Sequence, residues 1–121
     1  MTNTATTRDS VKIVNLTPHV VNVVDESGNL IDYIPCSGMI ARASMRRETV
    51  DYIKVEGVDV PINQTRIGKV YDLPDPKPGT IYIVSLLTAQ NCRDRDDLYV
   101  VDDTIRDDDG RIVGCRALAR I

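Results

Sequence analysis

Short runs of apolar residues, rich in Val and Ile, recur along the chain, and clusters of turn-forming residues separate them. These runs favour strands because β-branched side chains pack well on a pleated surface. The runs VVNVV and LIDYIP flank the segment DESGN at 25–29, where Gly28 and Asn29 tolerate positive φ, and this predicts a hairpin. The segment DDG at 108–110 predicts another hairpin of the Asp-Gly type.

The rest of the pattern favours strands with one exception. TIYIVSLL, at 80–87, is apolar enough for a buried central strand, and the prolines just before it predict a rigid, extended connection. SLLTAQNCR begins with a candidate N-cap, Ser85, and predicts one short helix near residues 85–93. The sequence therefore predicts a mainly β fold, a small barrel or sandwich of about eight short strands.

Residues 44–60 are the ambiguous part of the pattern. DYIKVEGVDVPI reads as two short strands around Glu56 and Gly57. SMRRETV, before it, is polar and fits either a loop or a helical turn. The conformation of this region stays open at the level of the sequence.

Length and composition predict one domain with an unusual core. The chain has 121 residues with no Phe or Trp, so Val, Ile, Leu and five Tyr supply the core. Residues 1–10 are rich in Thr and lack periodicity, which predicts a flexible N-terminus before a single β-rich domain over 11–121. The N-terminus does not resemble a signal peptide and no run could span a bilayer, so we expect a cytoplasmic protein without membrane partners.

Charge and cysteine content narrow the classes of ligand. The net charge of −3 argues against a nucleic-acid partner, because such binding needs a basic face. The cysteines, three in number and widely spaced, predict neither a disulfide framework nor a zinc site, and nothing in the sequence indicates a cofactor. Eleven Arg against four Lys suit bidentate recognition of phosphates or carboxylates, although pairing with the many Asp residues is the competing explanation.

The segment NLTPH contains the only histidine of the chain. If it is extended, Asn15, Thr17 and His19 lie on one face and could hydrogen-bond a ligand. The alternative is that the two shorter side chains satisfy backbone groups at a strand end while His19 caps a turn. Residue types alone favour this structural alternative.

The segment PCSGMIAR adds a second candidate for ligand contact. Ser37 and the following glycine could present backbone N–H groups to an anion, with Arg42 behind them. Arg42 and Arg66 have few acidic neighbours in sequence, which makes them the better candidates among the arginines. The acidic run DDTIRDDDG lacks the ligand spacing of a calcium loop and is interpreted as an exposed turn.

These motifs together resemble a family of small proteins found in bacteriophages and in actinobacterial and other bacterial genomes. The family pattern runs NLTPH, P-x-SG-x-x-AR, G-x-V-x-x-LP-x-P-x-x-GT-x-YIVS and a closing D-x-x-G hairpin, and it covers most of residues 12–118. The chain departs from this pattern at Cys36, where a second proline is common, and in SMRRETVDYIKVEG. The resemblance implies a phage or mobile-element setting, in which some small proteins sequester nucleotide-derived immune signals between subunits.

Three functional hypotheses follow from these patterns. The first is a non-catalytic, homo-oligomeric protein that sequesters a small anionic nucleotide as a counter-defence sponge in the host cytoplasm. Its expected ligand contacts are Asn15, Thr17, His19, Ser37, Arg42 and Arg66, with Tyr71 or Tyr82 stacking on a base. The second is a structural virion component or a protein inhibitor acting by protein–protein contact. The third is a hydrolase with His19 as base beside an aspartate such as Asp94 or Asp97.

Overall fold

The computed structural model describes residues 11–121, so the expected flexible N-terminus lies outside the described residues. The fold is mainly β, as the sequence predicted, with eight strands and one short helix. The elements are β1 (Lys12–Asn15), β2 (Val21–Val24), β3 (Leu30–Ile34), β4 (Arg42–Val55), β5 (Val58–Tyr71), β6 (Thr80–Ile83), α1 (Leu86–Asn91), β7 (Leu98–Arg106) and β8 (Ile112–Ala119).

Six strands form one barrel-like sheet in the order β1-β6-β7-β8-β2-β3. The strands β1, β6 and β7 run parallel, whereas β7 and β8 and also β2 and β3 pair antiparallel. The two edges of the sheet approach each other where Asn15, the last residue of β1, forms an isolated bridge with Cys36 just after β3. This bridge nearly closes the barrel.

The core lies on both sides of β6. Ile83 is fully buried and packs with Val21 and Cys115. Tyr82 and Val84 point to the other side of the strand, because side chains alternate along it, and they belong to the cluster under α1. The buried segment TIYIV therefore forms a central strand, as its apolar character predicted.

The local turn and cap predictions are confirmed. The turn between β2 and β3 is held by Asp25, whose Oδ1 accepts hydrogen bonds from the N–H groups of Ser27 and Asn29. Gly110 has a φ of 80° in the β7–β8 turn, a conformation that glycine adopts without strain. Ser85 is the N-cap of α1, and its hydroxyl accepts a hydrogen bond from the N–H of Thr88.

The strands β4 and β5 differ from the short strands that the sequence predicted, because each spans 14 residues. They form a separate two-stranded hairpin, which we call the arm, joined by Glu56 and Gly57 with φ angles of 48° and 76°. At about 3.4 Å per residue the arm is roughly 45 Å long. The segment SMRRETV is thus neither loop nor helix but part of β4, and a β-bulge at Val50 takes up the irregularity in its pattern.

Among the described residues, the arm is anchored to the rest of the fold at its base. Ala41, just before β4, is buried in the core, and its N–H donates to the backbone oxygen of Leu16 at 3.0 Å. The side chain of Asn91, at the end of α1, donates to the backbone oxygen of Gly68 in β5. Within residues 11–121, no helix is both long and apolar enough to cross a membrane.

Candidate functional site

The NLTPH segment turns sharply after Asn15 instead of continuing as a strand. Asn15 is 1% exposed, and its Nδ2 donates to the backbone oxygens of His19 (2.7 Å) and Ile34 (3.0 Å). Its Oδ1 accepts from the backbone N–H and the hydroxyl of Thr17 at 2.9 and 2.7 Å. All donors and acceptors of the amide are in use, so Asn15 fixes the turn and ties it to the end of β3.

Because of this turn, Asn15, Thr17 and His19 are not arranged along one face of a strand as expected. The one-sided alternation of Asn15, Thr17 and His19 required an extended chain, and β1 ends at Asn15. Asn15 and Thr17 satisfy backbone groups at a strand end, which is the structural alternative that residue types favoured. Direct ligand contact by these residues stays a prediction, and the turn leaves the His19 ring at the surface. We call residues 15–19 the His19 corner.

The second predicted turn lies beside the His19 corner. The N–H of Ser37 donates to the backbone oxygen of Asn15 at 2.9 Å. The Ser37 hydroxyl bonds the backbone of Met39, and Gly38 between them has a φ of 94°. The Gly38 N–H points to Cys36 Sγ at 3.4 Å. Ser37 is exposed beside the corner, but its polar atoms already hold the turn.

The predicted arginines lie on the arm, on one face. In the β4–β5 register Arg42 pairs with Tyr71, and Arg46 pairs with Arg66. Directly paired side chains share a face. Residues 42 and 46 are four apart on β4, and the register shift between Ala43 and Met45 places its extra residue on β5, so the side chains at 42 and 46 also share a face. We call this set the arginine face: Arg42, Arg46, Arg66, Tyr71 and the intervening Glu48.

The arginine face has more positively charged than negatively charged side chains. Arg46 and Arg66 are paired directly across the strands, an arrangement that is destabilising for like charges unless an anion intervenes. Glu48 supplies that anion, with contacts of 2.6 Å to Nε of Arg66 and 3.7 Å to Arg46. No ion pair links Arg42 to another residue in the part of the chain that the structure describes. Three guanidinium groups therefore face one carboxylate.

The two aromatic candidates have opposite environments. Tyr82 is 2% exposed, and its hydroxyl donates to the backbone oxygen of Asp75, so it is not available to stack on a ligand. Tyr71 is 51% exposed and lies across from Arg42 on the arginine face. Lys69 Nζ is 5.6 Å from the centre of the Tyr71 ring and adds another positive charge there.

The structure brings five of the six predicted contact residues to one end of the barrel. The His19 corner, Ser37 and Arg42 are neighbours because Ala41 binds Leu16 and Ser37 binds Asn15. Arg66 is farther out, since it pairs with Arg46, four residues or about 13 Å along β4 from Arg42. Sequence reasoning passed over Arg46 and Glu48, which only the register of the arm identifies as members of this face.

The aspartates proposed as partners of His19 lie elsewhere. Asp97 directly precedes β7, and its backbone oxygen accepts from Tyr82 N–H at the start of the parallel strands. His19 follows the opposite, C-terminal end of β1, which runs parallel in the same sheet. Asp94 is in the same loop as Asp97. The structure therefore does not bring either aspartate to His19 for acid–base work.

Asp97 instead forms the best-shielded ion pair among the described residues. Arg95 donates to both carboxylate oxygens at 2.8 Å and also to the backbone oxygen of Pro74. The hydrogen bond from Arg95 lowers the pKa of Asp97, although partial burial opposes the effect. The side chain of Asp97 is only 11% exposed, so this ion pair is largely shielded from solvent.

Two concave regions on the surface of the described residues lie away from the six predicted ligand contacts. The larger, of about 640 Å³, is open and lies at the start of β6, lined by Lys77, Gly79 and Asp96 among others. The smaller, of about 170 Å³, lies between α1 and the C-terminus and includes Arg93 and Arg120. A ligand on the arginine face would therefore occupy an exposed surface of a single chain.

The described residues contain no group of three or more His, Cys, Asp or Glu side chains that could hold a metal ion. The three cysteines are unpaired, and burial raises the pKa of the Cys92 and Cys115 thiols.

No protein-family model, no curated protein and no solved structure matches this chain.

Proposed function

We propose that this protein is a non-catalytic binding protein that sequesters a small anionic, nucleotide-derived ligand on the arginine face. The observation that carries the proposal is the alignment of Arg42, Arg46 and Arg66 on one face of the arm with a single carboxylate among them. Such an excess of guanidinium groups attracts anions even though the chain as a whole is acidic.

The chemistry of this face suits a nucleotide better than a simple anion. Arginine binds phosphate with two parallel hydrogen bonds, and Arg42 has no competing ion pair within the described residues. The exposed ring of Tyr71, directly across from Arg42, offers a surface on which a base can stack. Phosphate and base contacts would then come from paired positions of two adjacent strands.

The His19 corner has a supporting part in this proposal. The surface imidazole of His19 adds a hydrogen-bonding group at the end of the barrel where the arm begins, while Asn15, Thr17 and Ser37 hold the turns in place. This arrangement needs no nucleophile or activated base, in keeping with binding without turnover. The resemblance of its motifs to those of phage proteins supports a role of such binding in host counter-defence, in the host cytoplasm.

The experiment is thermal unfolding of the full chain with a panel of linear and cyclic nucleotides: AMP, ADP, cyclic AMP and cyclic di-GMP. A ligand present at 100 times its Kd stabilises the folded state by about 2.7 kcal/mol. We expect at least one panel member to raise the Tm by several degrees. Chromatography of the nucleotide afterwards should show that it is unchanged.

Matched variants test whether the rise in Tm depends on the arginine face. Arg42→Gln and Arg66→Gln should each remove most of the rise in Tm, because each deletes a guanidinium of the arginine face. Arg111→Gln, at an exposed position in the β7–β8 turn, should keep the full rise. A flat panel, or an equal loss in all three variants, would contradict the proposal.

A second candidate function is action by protein–protein contact, as an inhibitor or a virion component. The observation that favours it is the long arm, whose outer part has large apolar side chains exposed to solvent. It predicts that the nucleotide panel leaves the Tm unchanged, while removal of the outer arm abolishes activity in the host. These outcomes separate it from the first candidate.

A further inference from the structure

The outer half of the arm has a row of aliphatic side chains that are exposed to solvent in a single chain. Beyond the β-bulge, five aliphatic residues share one face, and they are between 38% and 63% exposed. We call this set the tip patch: Ile53, Val55, Val58, Val60 and Ile62. These five side chains are uncharged, and the one charged residue that shares their face beyond the bulge is Asp51, which pairs with Ile62 at the inner border of the patch. The ion pair between Lys54 and Asp59 lies on the opposite face of the ribbon.

An isolated two-stranded ribbon of this kind is only marginally stable in water. Within residues 11–121 the arm has no third strand, and its hydrogen bonds to the barrel and to α1 are at the base, near Ala41 and Gly68. Proteins that keep such ribbons exposed usually place charges on them to prevent association. The tip patch instead has rows of Val and Ile at alternate positions, the pattern of a strand face that packs against another sheet.

The solvent-accessible area of the chain is also larger than expected for a folded monomer of its mass. Its solvent-accessible area is 9085 Å², whereas a folded monomer of its mass should expose about 6,500 Å². Even when residues 1–10 are counted at the exposure of an unfolded chain, about 1.45 Å² per dalton, an excess on the order of 1,000 Å² remains. A stable dimer typically buries about 800 Å² on each partner. The excess is therefore large enough for one such interface.

We infer that the tip patch is a self-association surface, and that the tip patches of two copies pack face to face. A second copy is the occupant that this surface suits, because an uncharged aliphatic patch is complementary to itself and a two-fold axis brings identical patches together. Val and Ile rows spaced by two residues on both arms can interdigitate as in packed sheets. This inference does not depend on the ligand, since the tip patch and the arginine face occupy different lengths of the arm.

The test is the molar mass of the full chain in solution, measured by light scattering after size exclusion at about 100 μM. We expect the wild type to be a dimer. Ile53→Glu and Val60→Glu, a directly paired position at the centre of the tip patch, should each give a monomer. Tyr52→Glu, on the opposite face of the same strand, is the matched control and should stay dimeric.

A single glutamate substitution could unfold the arm instead of disrupting the interface. A pair of variants with opposite charges distinguishes these two effects. Val60→Glu mixed with Val60→Lys should recover a dimer that neither forms alone, because opposite charges then meet across the interface. A monomeric wild type would overturn the inference, and so would a dimer that persists in both glutamate variants. A dimer lost in Tyr33→Glu, on β3, but kept in the tip variants would also overturn it, since the interface would then lie on the barrel. A flat nucleotide panel would leave this result untouched.

Discussion

Asn15 links three separate segments of backbone through its buried side chain and its backbone oxygen. Its amide holds the His19 corner and also reaches Ile34, while its backbone oxygen accepts from Ser37 at the place where the barrel closes. The motif NLTPH indicated polar residues near a strand end, and their types favoured a structural role. The contact with Ile34, 19 positions away, depends on barrel closure, which no local pattern contains.

Asn15→Ala should therefore destabilise the whole fold. The substitution leaves the backbone oxygen of Ile34 and the N–H of Thr17 without these partners, and unsatisfied buried groups cost about 1–3 kcal/mol each. We expect the free energy of unfolding, measured by urea denaturation, to fall by roughly 2–5 kcal/mol. Asn63→Ala, on the exposed arm, is the control and should change it by less than about 0.5 kcal/mol. Equal effects at both positions would contradict this role.

Asp97 gives a pH dependence of known sign. Because the hydrogen bond from Arg95 lowers its pKa in the folded state, the pair contributes stability above the unfolded pKa of about 3.9. That contribution is lost as pH falls through the lower, folded pKa. The Tm of the wild type should thus drop on acidification below about pH 4, and Asp97→Asn should drop less steeply from a lower starting value.

The matched control is Asp96→Asn, which removes an exposed neighbour that has no ion pair with any of residues 11–121. Its Tm measured between pH 2.5 and 6 should follow the wild-type curve. If Asp97→Asn also follows that curve, the ion pair does not contribute in this pH range.

Turns and caps could be predicted at the scale of single elements, but the length and register of the arm could not. The two-residue turn at Glu56 and Gly57 fixes the pairing near the tip. If that register continued unchanged, Arg47 would lie opposite Arg66. The bulge at Val50 shifts the pairing by one residue and brings Arg46 there instead. No local signal marks the bulge, so the composition of the arginine face became visible only in the structure.

The arm should be a separate unit of stability, because its anchoring hydrogen bonds to the rest of residues 11–121 are at its base. Gly57 has a φ of 76°, in the left-handed region, where a residue with a Cβ costs about 1–2 kcal/mol. Gly57→Ala should therefore reduce the hydrogen-exchange protection of β4 and β5 amides by about tenfold, with amides of β6 and β7 unchanged. Loss of protection throughout the barrel would show that arm and barrel unfold together.

At the scale of the whole molecule, the barrel serves as a support for one projecting element. The arm presents the arginine face near its base and the tip patch near its end. The arginine face has an excess of positive side chains, and the tip patch has exposed aliphatic side chains. Composition predicted an Arg-rich acidic protein with a small core, and the first functional hypothesis included a homo-oligomer. Composition could not place these properties on one hairpin, because the polar segment SMRRETV fitted a loop or a helical turn and not a long strand.

The most direct test of the central claim is a titration followed by amide chemical shifts of the full chain. The titrant is whichever nucleotide of the panel most raises the Tm, or ADP if none does. We predict saturable shifts concentrated at Arg42, Arg46, Arg66 and Tyr71, with smaller changes at His19. Absence of shifts at millimolar nucleotide, or shifts confined to the open cavity around Lys77 and Gly79, would contradict the claim that the arginine face binds the ligand.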